Sequence, residues 1–324
     1  MQLTVITEDV VRSIATLDLA FEAVVAALQA VAADEARILP VVLAEAGQPG
    51  AAFGVKTATH LSVGLIGLKV GSYFPDNRAR GVPSHGSTTM LLDAETGLPS
   101  ALISAGYLNG LRTAAANAVA VDRLAREDSS VLGVLGAGHQ AEFEVRAVAA
   151  RRGIETVKVW SRSSSTAEDL CGRLEDLSAR VIAVPERREA VVGSDIVTTV
   201  TPSREALVEA EWVAPGTHVS AMGADMSGKQ ELDPKLVGGA SCFADFPEQS
   251  TRLGEFQHAA KAGLITTADI VAIGEVLLDR HPGRRSPEEI TVFDSSGIAT
   301  QDLHVAAAVV REAMDRDVAL NIDF

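Results

Sequence analysis

Residues 131–141, VLGVLGAGHQA, set an apolar run against a glycine turn, and a helical pattern follows from Glu142 to Arg151. Strand, glycine turn and helix, in that order, make a cradle for the pyrophosphate of a dinucleotide. Gly136 permits the tight turn, Gly138 lets the backbone approach the phosphates, and Ala141 lets the helix pack against the strand. The phosphates would meet the free N–H groups and positive end of that helix. A strand–helix corner of any α/β protein can carry such glycines, and here the flanking periodicities decide for the cofactor. The next strand, Val157-Lys158-Val159-Trp160, ends at Ser161-Arg162-Ser163. That is close to the offset of about 20 residues at which an acid holds a ribose 2′-hydroxyl. No acid stands at this strand end. Arg162 offers a planar fork to a 2′-phosphate, with Ser161, Ser163 and Ser164 as further donors, which favours NADP(H) over NAD(H). A solvated turn at a helix start would account for the serines, but less well for the missing acid.

A second group of residues is cationic. Arg37, Lys56, Lys69 and Arg112 stand within short apolar strands or beside glycine turns. Lys and Arg seldom occupy such places unless paired or facing a cleft. Taken singly, each reads as a snorkelling surface side chain; as a set they suggest an anion pocket facing the cofactor. Lys69 lies mid-strand in GLKVGSYFP (67–75), with glycines on either side where a ligand can come close. A second glycine-rich segment, Ser220 to Leu232, follows a strand at the carboxyl edge where open α/β sheets bind ligands. Its Asp225 either exchanges a proton with a substrate nitrogen or caps the turn before Glu231, and local pattern alone favours the cap.

These residues need a scaffold of two parts. At 324 residues the chain suffices for two domains with a core each. Its composition, 47% apolar and 22% charged, is that of a globular protein. A formal charge of −15, spread along the chain, argues against nucleic acid and anionic membrane as partners. Cys171 and Cys242 form no disulfide or metal-binding framework, and no metal is expected. The first ten residues lack a cleavable apolar core, and Ala20–Ala33 is too short to span a bilayer, so a cytoplasmic protein is the default. Residues 16–34 read as an apolar helix capped by Thr16. Strand-like runs follow at 38–44, 52–58, 67–73, 88–93 and 100–103, separated by turn signals such as Gly47-Gln48-Pro49-Gly50. An alanine-rich helix from about 105 to 126 leads into strands at 131–135, 156–160, 180–184, 195–200, 217–222, 241–245 and 290–294, alternating with helices. That rhythm predicts a parallel sheet with right-handed crossovers. A last helix, 299–316, returns to the first region.

Taken together, these segments resemble the ornithine cyclodeaminase/mu-crystallin family over nearly the whole chain. The resemblance rests on GLKVGSYFPDN (67–77), LLDAETGLPSALI (91–103), LNGLRTAAA (108–116), GAGHQA (136–141), MGADMSGKQELD (222–233) and VFDSSGIATQD (292–302). It implies an α/β chain: an α+β substrate-binding and dimerisation domain, residues 1–115 with 299–324, and a Rossmann domain, 116–298. It implies hydride transfer between amino acids and imines; separately, an apolar N-terminal sheet with few charges predicts a homodimer. By position, Arg37, Lys69 and Arg112 match the residues that hold the substrate carboxylate, and Asp225 the acid beside the reacting carbon and nitrogen. The candidate cofactor set is Arg112, Thr113, Gly136, Gly138, His139, Gln140, Ser161, Arg162, Met222, Gly223, Ser295 and Gly297; Ser161 and Arg162 enter it on the chemistry above, and the resemblance implies that the segment from Phe293 to Asp302 closes over the nicotinamide.

Departures from the family pattern narrow the substrate. In the cyclodeaminases a glutamate stands thirteen residues before the strand lysine and helps hold a distal amine; here Lys56 stands there. Lys56 would repel an ammonium and attract a second carboxylate. Gly81 to Thr88 is similar to the iminosuccinate reductases of the family, which carry a histidine followed by Ser-Thr, and His85 would bind the distal carboxylate or shuttle a proton. A turn histidine is the competing reading. The expectation is therefore an NAD(P)H-dependent reductase of a dicarboxylic α-imino acid such as iminosuccinate, with Lys69 and Asp225 as catalytic candidates. A cyclic ketimine reductase, an alanine-type dehydrogenase, a cyclodeaminase and a non-catalytic NADPH-binding protein are the alternatives.

Overall fold

The computed structural model describes residues 2–323. The chain forms two compact units: residues up to Arg112 together with those from Ile298 onward, and Thr113–Gly297. In chain order the first stretch is β1 (Gln2–Ile6), α1 (Glu8–Ile14), α2 (Leu17–Ala32), β2 (Ala36–Ile38), β3 (Val42–Glu45), β4 (Ala52–His60), β5 (Leu65–Tyr73), β6 (His85–Leu92), β7 (Pro99–Ser104) and α3 (Gly106–Leu124). Then come β8 (Val131–Leu135), α4 (His139–Ala149), β9 (Thr156–Trp160), α5 (Ser164–Arg173), β10 (Arg180–Ala183), α6 (Arg187–Val191) and β11 (Ile196–Thr199). β12 (Arg204–Val208), β13 (His218–Ala221), β14 (Gln230–Leu232), α7 (Pro234–Gly238), β15 (Ser241–Ala244), α8 (Pro247–Ser250) and α9 (Gln257–Lys261) follow. The chain closes with β16 (Ile270–Ala272), α10 (Ile273–Leu277), β17 (Thr291–Asp294), α11 (Ala299–Asp315) and β18 (Leu320–Asp323).

The first unit is a sheet in the order β18-β1-β7-β6-β5-β4-β2, with β3 also pairing β4. Its helices gather on one face: α11 packs on β4, β5 and β6, and α2 packs on α11. Thr16 caps α2 by accepting from the Leu19 N–H at 3.1 Å. Ala20, Ala23, Val24, Ala27 and Leu28 recur at helical spacing and are buried, so α2 turns one stripe to the core. At Gly67 a Cβ would stand 3.0 Å from a Leu303 methyl and 2.3 Å from the Met90 carbonyl, so only glycine lets α11 lie this close to β5. The run expected at 38–44 is broken into β2 and β3 around Pro40, which has no N–H for the ladder.

The second unit carries a parallel sheet in the order β10-β9-β8-β11-β13-β17-β15-β16. Chain order reverses between β8 and β11, the switch point of a Rossmann sheet. Val134 and Leu135 belong to different apolar clusters, as do Ile196 and Val197, so both faces of the sheet are covered. Among the described residues no single helix is long and apolar enough to cross a membrane.

Candidate active site

The first unit gathers its cations around one carboxylate. Lys69, in the middle of β5, is only 7% exposed. Its Nζ donates to Asp302 Oδ1 at 2.9 Å and, in a short bond, to Asn109 Oδ1. Arg112 comes from α3: its Nε lies 2.9 Å from Asp302 Oδ1 as an ion pair, and its Nη2 donates to Asn109 Oδ1 at 2.9 Å. Arg112 Nη1 also donates to Gln301 Oε1 at 3.3 Å. Asn109 and Arg112 are three residues apart on one helix and so share a face. Lys56 stands directly opposite Lys69 in the β4–β5 ladder, and Thr89 of β6 stands opposite on the other side. Residues paired in register point to one face of the sheet, so both lysines share the face that α11 covers.

Charge sets the protonation of this cluster. Burial is the largest influence on Lys69; Asp302 opposes it, while Arg112 and Lys56 add to it, and the ammonium pKa is pushed down to about 7. Burial alone would raise the Asp302 carboxyl, but Arg112, Lys69 and Lys56 outweigh it and hold it below the usual carboxylate range. Asp302 is therefore an ionised, 6% exposed carboxylate between two cations, in the first turn of α11, where the helix dipole also favours it. Lys69 stands poised between charged and neutral near physiological pH. That is the condition for moving a proton.

The structure does not bring Arg37 into this group. Arg37 pairs with Thr59, whereas Lys69 pairs with Lys56, three positions away on β4. An odd offset along a strand reverses the face, so Arg37 lies on the side away from Lys69, and it is exposed. His85 opens β6 and packs its ring 4.8 Å from that of Tyr73. The register puts it on the Lys69 face, but four positions along the strand from Thr89, about 13 Å away.

In the second unit every residue expected at the cofactor from Gly136 onward follows the carboxyl end of a parallel strand or opens the next helix. Gly136, Gly138, His139 and Gln140 follow β8, Ser161 and Arg162 follow β9, Met222 and Gly223 follow β13, and Ser295 and Gly297 follow β17. They therefore fall on one edge of one sheet. Gly136 has φ +116°, and a Cβ there would come 2.6 Å from the Val200 carbonyl, so only glycine makes this turn. Nothing stands within 4 Å of a Cβ built on Gly138, and no side chain caps α4 at that residue. Open space beside uncapped helix N–H groups fits a pyrophosphate. Gln140 donates to Glu144 at 2.8 Å, and the exposed His139 packs its ring against Phe143. Arg162, Ser163 and Ser164 are exposed at the end of β9, and Ser161 is half-buried. Thr113, next to Arg112 on α3, is half-buried. Asp225 is largely exposed in its glycine-rich loop, and its Oδ1 pairs with Lys229 Nζ at 2.6 Å.

Buried carboxylates tie these strand ends together. Glu231 accepts from Thr199 Oγ1 at 2.8 Å, the Thr201 N–H at 2.6 Å and the Gly223 N–H at 2.9 Å. Glu255 in turn accepts from the Glu231 and Leu232 N–H groups. Asp245 accepts from the Gly297 N–H at 2.8 Å, from Ser295 Oγ at 3.1 Å and from the Phe246 N–H at 2.8 Å. Asp294 accepts a short bond from Ser250; burial and the neighbouring Asp245 raise its pKa well above the ordinary value.

Asp302, Asn109, Glu231 and Asp245 were not singled out by the sequence reading. Their signal is an acid or amide inside an otherwise apolar element, such as Asp302 in the buried first turn of α11. The sequence profile of the ornithine cyclodeaminase/mu-crystallin family matches residues 2–317. The iminosuccinate reductase of Paracoccus denitrificans is 38% identical over 319 residues, 98% of this chain and 99% of that one. Its crystal structure with NAD+ superposes with a TM-score of 0.95, at 37% identity, over 100% of both chains. An archaeal alanine dehydrogenase dimer with bound NAD gives a TM-score of 0.94 at 37% identity, also over 100% of both chains. The Delta(1)-pyrroline-2-carboxylate reductase of Thermococcus litoralis, in complex with NADH and L-proline, gives 0.93 at 27% identity over 98% of this chain and 100% of that one. The chain belongs to the ornithine cyclodeaminase/mu-crystallin family.

Proposed function

We propose that the chain is an NAD(P)H-dependent reductase of α-imino acids whose substrate is dicarboxylic, as in the reduction of iminosuccinate to aspartate. The observation that carries the substrate class is the position of Lys56, directly across the ladder from Lys69. Like charges placed opposite one another destabilise a sheet; Asp302 offsets part of this penalty, and a substrate carboxylate between the two lysines would offset more. Arg112 and Lys69 take the α-carboxylate, and Lys56 takes the distal one. His85 lies farther along the same face, at its rim. Fixing the substrate in this way supplies an orientation worth about 7 kcal/mol or more when the reaction partner is also fixed. The proton on the imine nitrogen falls to Lys69 or to Asp225. Reduced nicotinamide supplies the hydride when bound. The loops after β8, β9, β13 and β17 would hold that cofactor.

The likeness to the iminosuccinate reductase supports this reading; the likeness to an alanine dehydrogenase and a pyrroline-2-carboxylate reductase marks its rivals. For the cofactor, Arg162 and the absence of an acid at the end of β9 support NADP(H). The relatives described above carry NAD+ or NADH, so both dinucleotides belong in the test. The test is Lys56→Ala, assayed with oxaloacetate plus ammonium and with a cyclic ketimine. Loss of the charge-assisted pair is expected to lower kcat/KM for the dicarboxylate by about 10- to 100-fold and to leave the cyclic substrate unaffected. Equal effects on both substrates would remove the dicarboxylate assignment. NADPH binding without turnover of any imine would favour the non-catalytic alternative.

A homodimer is part of the proposal. The sheet face away from α11 carries Val42, Phe53, Val55, Ile66, Leu68 and Val70; Phe53 is 40% exposed and Val42 61%. An apolar face of this kind fits a second copy of the chain. Sedimentation of the wild type and of Phe53→Asp checks it, with a dimer expected for the first and a monomer for the second.

A further inference from the structure

Asp302 offers Lys69 more than a structural contact. One oxygen, Oδ1, lies 2.9 Å from Lys69 Nζ and 2.9 Å from Arg112 Nε. Asn109 Oδ1 takes a hydrogen bond from each of the same two cations, so the ammonium and the guanidinium share one acceptor and one counter-ion. The charged groups acting on Lys69 come from three elements: Asp302 from α11, Arg112 from α3 and Lys56 from β4. β6 brings only the uncharged Thr89 opposite it. The sum is unequal, since two cations and burial push the proton off Lys69 while Asp302 keeps it on.

We propose that Asp302 is a positioning residue that keeps Lys69 charged in its buried place, so that Lys69 gives the proton to the substrate nitrogen. This rests on the imine-reductase reading above. In the step, an N–H bond of the Lys69 ammonium breaks as an N–H bond to the imine nitrogen forms. The products are a neutral Lys69 and an iminium. Reduced nicotinamide, when bound, would supply the hydride that reduces the iminium carbon, with the C=N π pair becoming the nitrogen lone pair. Lys69 recovers its proton from solvent. Asp225, largely exposed and paired with Lys229, is not the source of the proton in this step.

The proposal makes two measurements move together. Competitive acetylation of Lys69, quantified by peptide mass spectrometry across pH, follows the ammonium without any turnover. The pH profile of kcat/KM with oxaloacetate plus ammonium follows it in action. In the wild type both are expected to break near pH 7, with the protonated form active, so that activity falls as pH rises through that value. Asp302→Asn removes the charge that opposes deprotonation, so both breaks move to lower pH by about one unit or more. Asp302→Glu keeps the charge and restores the wild-type break in part. A fall in kcat/KM equal at every pH, with the break unmoved, would assign Asp302 a structural role only and overturn the proposal. If Asp302→Asn does not fold, the wild type still decides, because acetylation with the ordinary profile of a free lysine overturns it. A shifted acetylation profile with no imine reduced would sink the reductase reading and leave the control of Lys69 by Asp302 standing.

Discussion

The first unit buries cations on side chains that converge on a single carboxylate, while the second buries carboxylates that converge on backbone N–H groups. In the first, Lys69 and Arg112 share Asp302 and Asn109, and Lys69 is left able to gain or lose a proton near neutrality. In the second, Glu231 and Asp245 each accept from N–H groups of loops at the ends of neighbouring strands. Such bonds hold the loops in place and offset part of the burial that raises the Glu231 carboxyl above its ordinary range. The contrast separates labour. A cation that can change its charge does chemistry, and carboxyl groups bonded to the backbone hold a shape.

Substitutions on the two sides should therefore fail in different ways. The largest effect is expected for Lys69→Met, which removes the proposed proton donor. It should lower kcat about 10²- to 10⁴-fold while fluorescence titration finds dinucleotide affinity unchanged. Matched loss of dinucleotide binding would erase the distinction. Next comes Glu231→Ala, which leaves the Thr201 and Gly223 N–H groups and the Thr199 hydroxyl without their acceptor. Each unsatisfied buried group costs about 1–3 kcal/mol, so urea unfolding should report a loss of several kcal/mol, with weaker dinucleotide binding. Stability at the wild-type level would contradict the scaffold role. Arg162→Ala should reduce the preference for NADPH over NADH by about tenfold, the worth of one exposed charge-assisted contact, without changing the substrate KM. An unchanged cofactor ratio would remove the 2′-phosphate assignment. The smallest effect is expected for Arg37→Ala. Its side chain lies across the sheet from Lys69, and steady-state kinetics should find KM and kcat unchanged.

The Arg37 result also marks how far a sequence can be read. Alternation and glycine turns located most strands of both sheets, and the Gly136–Ala141 turn declared the dinucleotide edge, because each is a local pattern. Thr16 before its apolar run placed the start of α2. Register is different, since it joins residues distant in the chain. Nothing local says that β2 meets β4 with Arg37 beside Thr59, and a slip of one residue would have put the guanidinium on the lysine face. β1 and β18 escaped for the same reason. They pair across almost the whole chain, Leu3 with Ile322, and the residues of β18 are all exposed and carry no alternation of burial. Asp302 was inside a recognised motif, but its partners, Lys69 and Arg112, come from β5 and α3. Residue type was legible there; the ion pair was not.

The central claim is that this chain reduces an α-imino dicarboxylate. The direct measurement is the loss of NADPH and of NADH with oxaloacetate plus ammonium, pyruvate plus ammonium and a cyclic ketimine, each in parallel. Turnover should be fastest with oxaloacetate plus ammonium, with NADPH the better reductant and aspartate the product. Turnover confined to the cyclic ketimine or to pyruvate would contradict the role given to Lys56.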